Sequence, residues 1–235
     1  MSSKDNMSLG DRMKLYYENC YKINIPRRIP LIIRLDGKAF HTLTRGCNKP
    51  FDSDIINWMD GTAKYLCENI QGAQMAYIQS DEISILVHNY KRITSSAWFD
   101  NDLEKIVSVS ASIATYCFNK LMNNDKVALF DSRAFVLPEN EVCNYFIWRQ
   151  KDWERNSIQM YAQSLYSHKE LQNKNCSDLN EMCFQKGKNW NDLSVDLKRG
   201  RCIVYSDSKW IIDNNIPIFV EDRNYISDLL KIEDE

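Results

Sequence analysis

Histidine is scarce in this 235-residue chain, occurring only at positions 41, 88 and 168. That argues against a histidine-rich metal centre. No Cys-x-x-Cys pair occurs among the eight cysteines, at 20, 47, 67, 117, 143, 176, 183 and 202. Cys67 and Cys117 fall inside apolar helical patterns. The pattern favours reduced, buried thiols over zinc or a disulfide framework. No apolar run approaches the roughly 18–20 residues of a membrane span. Met1-Ser2-Ser3-Lys4-Asp5-Asn6 leads into no apolar signal region. A soluble cytoplasmic protein with no membrane partner is expected. Neither sign of charge is in excess, with a net charge of −2 and a pI near 6.0. A uniformly positive coat is excluded, while a local basic patch is not. No internal repeat and no low-complexity tract is visible. What is plentiful is apolar side chain, at 44% of residues. A sizeable core follows, enough for one large domain or a domain with an appendage.

The apolar periods then divide the chain. Leu31 to Leu35 is short, apolar and partly β-branched, and reads as a strand after Pro26 and Pro30. Ile55, Ile56, Met59, Ala63, Leu66, Cys67 and Ile70 recur at helical spacing, with Asp52, Ser53 and Asp54 at the start and Gly72 beyond the end. Met75–Ile78 and Ile83–Val87 flank Ser80-Asp81-Glu82 and read as a hairpin whose turn has neither Gly nor Asn. A second helix is expected from Asn101 to Met122, stopped by Asn123 and Asn124. A fourth strand is expected from Ala128 to Leu137. Strand, helix, strand, strand, helix, strand is the order of a ferredoxin-like unit. It predicts an α+β fold, an antiparallel sheet with helices packed on one face. Residues 139–168 read as one long helix or two shorter ones. Arg201–Tyr205 and Ile216–Val220 read as a late strand pair, with a turn at Asn214-Asn215.

The chemistry centres on Asp36-Gly37 at the end of the first strand and Ser80-Asp81-Glu82 in the hairpin. Hard divalent cations take one or two carboxylates together with substrate phosphates. Asp36 and Asp81 supply two carboxylates, and the Gly37 carbonyl a third oxygen. Glu82 stands beside them or serves as a further ligand. The spacing alone leaves a second reading open, in which Asp36-Gly37 is a strand-end turn and Ser80-Asp81-Glu82 a polar hairpin tip. His41 is likewise a packing or capping residue or a nucleotide contact. No serine or cysteine triad is visible.

Four ordered stretches carry a resemblance. They are Arg34-Leu35-Asp36-Gly37-Lys38-Ala39-Phe40-His41, Tyr77-Ile78-Gln79-Ser80-Asp81-Glu82-Ile83-Ser84, Phe130-Asp131-Ser132-Arg133 and Trp148-Arg149-Gln150. Together they resemble the tRNA(His) guanylyltransferase superfamily. The resemblance implies a polymerase-type palm and two magnesium ions. It also implies growth of a tRNA at its 5′ end, in the 3′–5′ sense, after ATP activates the 5′ phosphate. On the motif match, Asp36, Asp81 and Glu82 are catalytic, and Asp36, the Gly37 carbonyl and Asp81 hold the metals. Lys38, Ala39, Phe40, His41, Ser80 and Asn156 lie along the nucleotide. ATP, GTP and other nucleoside triphosphates are the expected small substrates. Residues 1–138 are expected as the palm catalytic domain, and 139–235 as a helical and strand region completing the same catalytic unit.

One stretch departs from the family pattern. Guanylyltransferases proper carry His-Ile-Asn-Asn soon after Trp-Arg-Gln, where this chain has Glu154-Arg155-Asn156-Ser157. That places the resemblance in the guanylyltransferase-like branch, which uses templated addition to repair 5′-truncated tRNAs. The alternatives are addition of a single guanosine to tRNA(His), a non-catalytic RNA-binding palm protein, and a nucleotide cyclase. The expected RNA contacts are Arg133, Arg149, Lys151, Arg155, Lys198, Arg199 and Arg201. Trp148 and Trp153 offer stacking surfaces for a base or, more commonly, helix core. The family's tetramers imply a homotetramer.

Overall fold

The structure, a computed structural model, describes residues 7–92 and 94–232. Strand β1 (Leu31–Gly37) is followed by helix α1 (Ser53–Asn69), the β2–β3 hairpin (Ala73–Gln79 and Glu82–Val87), helix α2 (Leu103–Met122) and β4 (Phe130–Val136). Helix α3 (Glu139–Gln163), helix α4 (Cys176–Gln185) and the hairpin β5 (Arg201–Ser206) and β6 (Lys209–Asp213) complete the main elements. The six strands form one sheet in the order β4-β1-β3-β2-β5-β6, every neighbouring pair antiparallel. Its first four strands have the ferredoxin-like arrangement expected from the chain order.

Local chemistry sets the helix ends. The Asp52 side chain accepts from the amides of Asp54 and Ile55 at the start of α1. Asp102 does the same for Lys105 at the start of α2. These caps satisfy amides that a helix leaves unpaired. Asn123 ends α2 in the left-handed region, φ 44°. Pro138 precedes α3, which runs unbroken for 25 residues.

Alternation along the strands makes two cores. Leu31, Ile33 and Leu35 of β1 and Ile83, Ile85 and Val87 of β3 face α1 and α2, where Met59, Ala63, Leu66, Ile106, Ala114 and Phe118 meet them. Ile32, Met75, Tyr77 and Leu86 point the other way, against Val142, Tyr145 and Phe146 of α3. The sheet thus carries helices on the expected face and, beyond that expectation, α3 on the opposite one.

The late strand pair differs from the sequence reading. The partner of β5 is Lys209–Asp213, reached through Asp207 and Ser208, both at positive φ. Ile216 to Val220 is not a strand. Pro217 has no amide to donate to a ladder. The Gln150 side chain instead donates to the Pro217 carbonyl at 2.9 Å and accepts from the Phe219 amide at 2.9 Å. Ile216 and Phe219 are buried in the second core as irregular chain. Among the described residues, no helix is long and apolar enough to cross a membrane.

Candidate active site

The carboxylates gather where β1 leaves the sheet. Asp36 is in register with Glu82 on β3 and with Asp131 on β4, so three acidic residues lie abreast. The Gly37 amide donates to the Asp81 carbonyl at 3.1 Å, which ties the hairpin turn to the end of β1. Ser80 makes that turn at φ 46°. Asp36 and Asp81 are therefore neighbours, the arrangement a two-carboxylate cation site needs.

Both carboxyls hold their protons more tightly than usual. Burial raises Asp36, and the charges of Glu82 and Asp131 add to it. Burial also lifts Asp81, to about 6, with Asp36 and Glu82 contributing repulsion. Desolvated like charges of this kind are relieved by a proton or a cation. Among the described residues, no three His, Cys, Asp or Glu side chains form a metal cluster by themselves. A cation here would take the two aspartates, the Gly37 carbonyl, and substrate or water oxygens. That all-oxygen donor set suits a hard divalent ion.

Two adjoining cavities meet at this point. The larger, about 680 Å³, is lined by Gly37, Ala39, Phe40, His41, the loop from Thr44 to Asp52, Ser80, Asp81, Trp153, Leu197 and Arg201, among others. The smaller, about 350 Å³, holds Asp36, Glu82, Arg149, Asp152 and Asn156. Ser80, Asp81, Met160 and Gln163 line both, so Asp81 stands at their junction.

The exit from β1 is built for close approach. A Cβ on Gly37 would lie 2.3 Å from the Phe40 ring. Phe40 is buried and packs edge-on against Phe118 and Phe130. Its ring is therefore part of the core. Ala39 sits at φ 56°, turning the chain into the helical turn Phe40–Leu43. The Lys38 amide donates to the Leu129 carbonyl. The amides of Ala39, Phe40 and His41 donate to no group among the described residues. Three consecutive free amides on a cavity wall make an anion cradle. Lys38 and His41 are exposed, and only His41 lines the larger cavity.

The structure corrects part of the basic set. Arg149 is 7% exposed and is locked onto Glu82, Nε to Oε1 at 2.7 Å and Nη2 to Oε2 at 2.8 Å. Arg201 is 2% exposed and donates from Nε to Asp60 at 2.6 Å. Arg149 commits Nε and Nη2 to Glu82 and Arg201 commits Nε to Asp60, so neither stands on the outer surface with Arg133 and Lys151. Both oxygens of Glu82 are likewise engaged, with Gln79 and Ser84 adding donors to Oε1. Glu82 lies beside the two aspartates as the anchor for α3. Arg133, Lys151 and Arg155 are exposed. Arg133 stands 3.6 Å from Asp131, and Arg155 pairs with Asp152. Lys198 and Arg199 are half-buried and donate to the carbonyls of Asn191 and Ile216. Trp153 is buried, with an edge on the larger cavity, and Trp148 is exposed beneath the Arg149 guanidinium. Sequence reasoning missed Asp60 altogether, since no local pattern marks an acidic residue on an apolar helix face as a partner for a strand 141 residues away.

With this geometry in place, comparison with known proteins defines the class. The family described as tRNAHis guanylyltransferase matches residues 10–138, over half the chain. The chain belongs to that family. A tRNA(His) guanylyltransferase of Debaryomyces hansenii is 30% identical over 197 residues, covering 74% of this chain and 72% of the yeast protein. An uncharacterised protein of Acanthamoeba polyphaga mimivirus is 30% identical over 68% of this chain, which spans 64% of the viral protein. Among solved structures, a bacterial tRNA(His) guanylyltransferase-like protein in complex with ATP superposes with a TM-score of 0.92 at 50% identity. That alignment covers 96% of this chain and all of the other.

Proposed function

We propose that this chain is a template-dependent 3′–5′ nucleotidyltransferase that adds nucleotides to the 5′ end of tRNA and so repairs 5′-truncated tRNAs. One observation carries the reading. Two desolvated, proton-hungry aspartates, Asp36 and Asp81, stand where a cavity of nucleotide size meets a second, acidic one. Nucleotidyl transfer needs positioning and neutralised charge rather than a protein nucleophile. Two magnesium ions, held through Asp36, the Gly37 carbonyl and Asp81, would supply that neutralisation and orient the attacking and leaving oxygens.

The chain's own groups do the rest. The free amides of Ala39, Phe40 and His41 receive the triphosphate, with Ser80 at the junction and Lys38 and His41 at the rim. Asn156 reaches the smaller cavity on the Asp36 side. Glu82, fixed by Arg149, holds the turn beside the aspartates. ATP adenylylates the tRNA 5′ phosphate with release of pyrophosphate, and the 3′-hydroxyl of the incoming nucleotide then attacks that phosphate and displaces AMP. Arg133, Lys151 and Arg155 remain exposed for the tRNA. The ATP complex of the bacterial relative, and a GTP complex with a TM-score of 0.86, support triphosphates as substrates here. We extend the reading to a homotetramer in the cytoplasm, where its free thiols stay reduced.

The second reading is addition of a single guanosine to tRNA(His), favoured by the names of the curated relatives. Glu154-Arg155-Asn156-Ser157, in place of His-Ile-Asn-Asn, weighs against it. The test supplies magnesium, nucleoside triphosphates and a tRNA lacking its first nucleotide, labelled at the 5′ phosphate. Extension matched to the template is expected for several tRNAs. Guanosine added only to tRNA(His) establishes the second reading, and RNA binding without product defeats both.

A further inference from the structure

The Asp60–Arg201 pair is an odd thing to find in an apolar layer. Asp60 is 5% exposed on α1, amid Met59, Ala63 and Leu66. Arg201 opens β5 on the same face as Ile78 and Ile203. A buried ion pair is seldom more stabilising than a well-packed apolar pair of the same size. Its position therefore calls for a reason other than stability.

The geometry supplies one. Asp60 engages only Nε of the guanidinium, at 2.6 Å. The two terminal nitrogens donate to no group among the described residues, and Arg201 lines the 680 Å³ cavity. The approach is tightly fixed. The Tyr77 hydroxyl donates to the Arg199 carbonyl at 2.7 Å. Gly200 lies so close to β2 that a Cβ there would stand 2.7 Å from the Ile78 carbonyl. Arg201 is in register with Ile78, two residues before Ser80 of the site's turn. A planar fork is thus held at its inner edge and left open at its outer one.

We infer that Arg201 is a nucleotide-contact residue, donating from its terminal nitrogens to acceptor atoms of the bound nucleoside triphosphate, and that Asp60 is its positioning residue. This rests on the nucleotidyltransferase reading of the same cavity. An arginine has donors and no acceptors, so the contact is with phosphate, ribose-oxygen, base-carbonyl or ring-nitrogen acceptors, and never with an amino group.

The pair can be separated from its packing role. Removing one partner alone strands a buried charge and threatens folding. The informative protein is the double variant Asp60→Leu with Arg201→Met, which replaces the pair by apolar side chains. A second variant, Arg201→Lys, keeps the charge opposite Asp60 but loses the fork. Melting temperature reports folding. Titration with GTP, ATP and inorganic tripolyphosphate in magnesium reports binding. Both variants are expected to fold, and to bind GTP at least tenfold more weakly than the parent. An equal loss for tripolyphosphate assigns the contact to phosphate, and a loss confined to the nucleotides assigns it to base or sugar. Folded variants that bind all three ligands as the parent does overturn the inference and leave the transferase reading standing. A parent protein that binds no nucleotide overturns that reading, and this inference with it.

Discussion

The two faces of the central sheet are made by alternate residues of the same strands, yet they are built on different chemistry. Toward α1 and α2, β1 and β3 present Leu31, Ile33, Leu35, Ile83, Ile85 and Val87, an almost wholly aliphatic surface. Toward α3, the same strands present Arg34, Asp36, Glu82 and Ser84 at the site end, and Ile32 and Leu86 further along. There Glu82, Arg149, Gln79, Ser84 and Tyr145 form one buried polar network. The first face gains stability by removing apolar area from water. The second gives up part of that gain to hold charges beside the aspartates. One strand can do both because its side-chain period is two.

The largest effect is expected at the aspartates. Asp36→Ala or Asp81→Ala is expected to lower nucleotide transfer by on the order of 10³-fold or more. The melting temperature should not fall, since each change removes a charge from a repelling group. A folded variant with near-parental turnover would refute the metal assignment. Next comes Arg149→Met, which leaves Glu82 buried without its partner. A loss of about 3–5 kcal/mol in denaturant unfolding is expected, together with weakened turnover as the turn loses its anchor. Ile33→Ala, on the aliphatic face, should cost about 2–5 kcal/mol. Under conditions where the variant stays folded, turnover per folded molecule should match the parent. If it drops as far as in Arg149→Met, the division of labour between the faces is wrong.

A gentler probe uses pH. The Asp81 carboxyl is raised to about 6 in the folded chain. A raised carboxyl favours the folded state when protonated. That contribution is full below the ordinary carboxylate range and is lost as pH rises through about 6. Magnesium competes with the proton for the same oxygens. Magnesium should therefore raise the melting temperature more at pH 7.5 than at pH 5, and Asp81→Asn should flatten the difference. The smallest effect is expected at the surface. Arg155→Ala removes an exposed partner of Asp152 and should change stability by no more than about 1 kcal/mol, while weakening tRNA binding in a salt-dependent way.

Much of this was legible in the chain, for local reasons. β1 to β4, α1 and α2 announce themselves through apolar period and caps, and Asp36 and Asp81 through their place at strand ends. What escaped was settled by distant partners. In sequence Arg149 and Arg201 look like Arg133 or Lys151, until Glu82 and Asp60, 67 and 141 residues away, take them out of solvent. Ile216–Val220 has the composition of a strand, but Pro217 and the Gln150 amide give its backbone another use. The hairpin at Lys209 was obscured because Asp207-Ser208 lacks the glycine that usually signals such a turn.

β5 joins the sheet beside β2, although some 120 residues separate them along the chain. Without β5, β2 would be an open edge of the sheet, a template for unwanted pairing. The cavity wall that carries Arg201 does not exist until that edge is covered. A chain that has formed only β1 to β4 holds Asp36 and Asp81 but lacks Trp153, Leu197 and Arg201 of the larger cavity. The strand that covers the edge of β2 is thus the same one that completes the cavity wall.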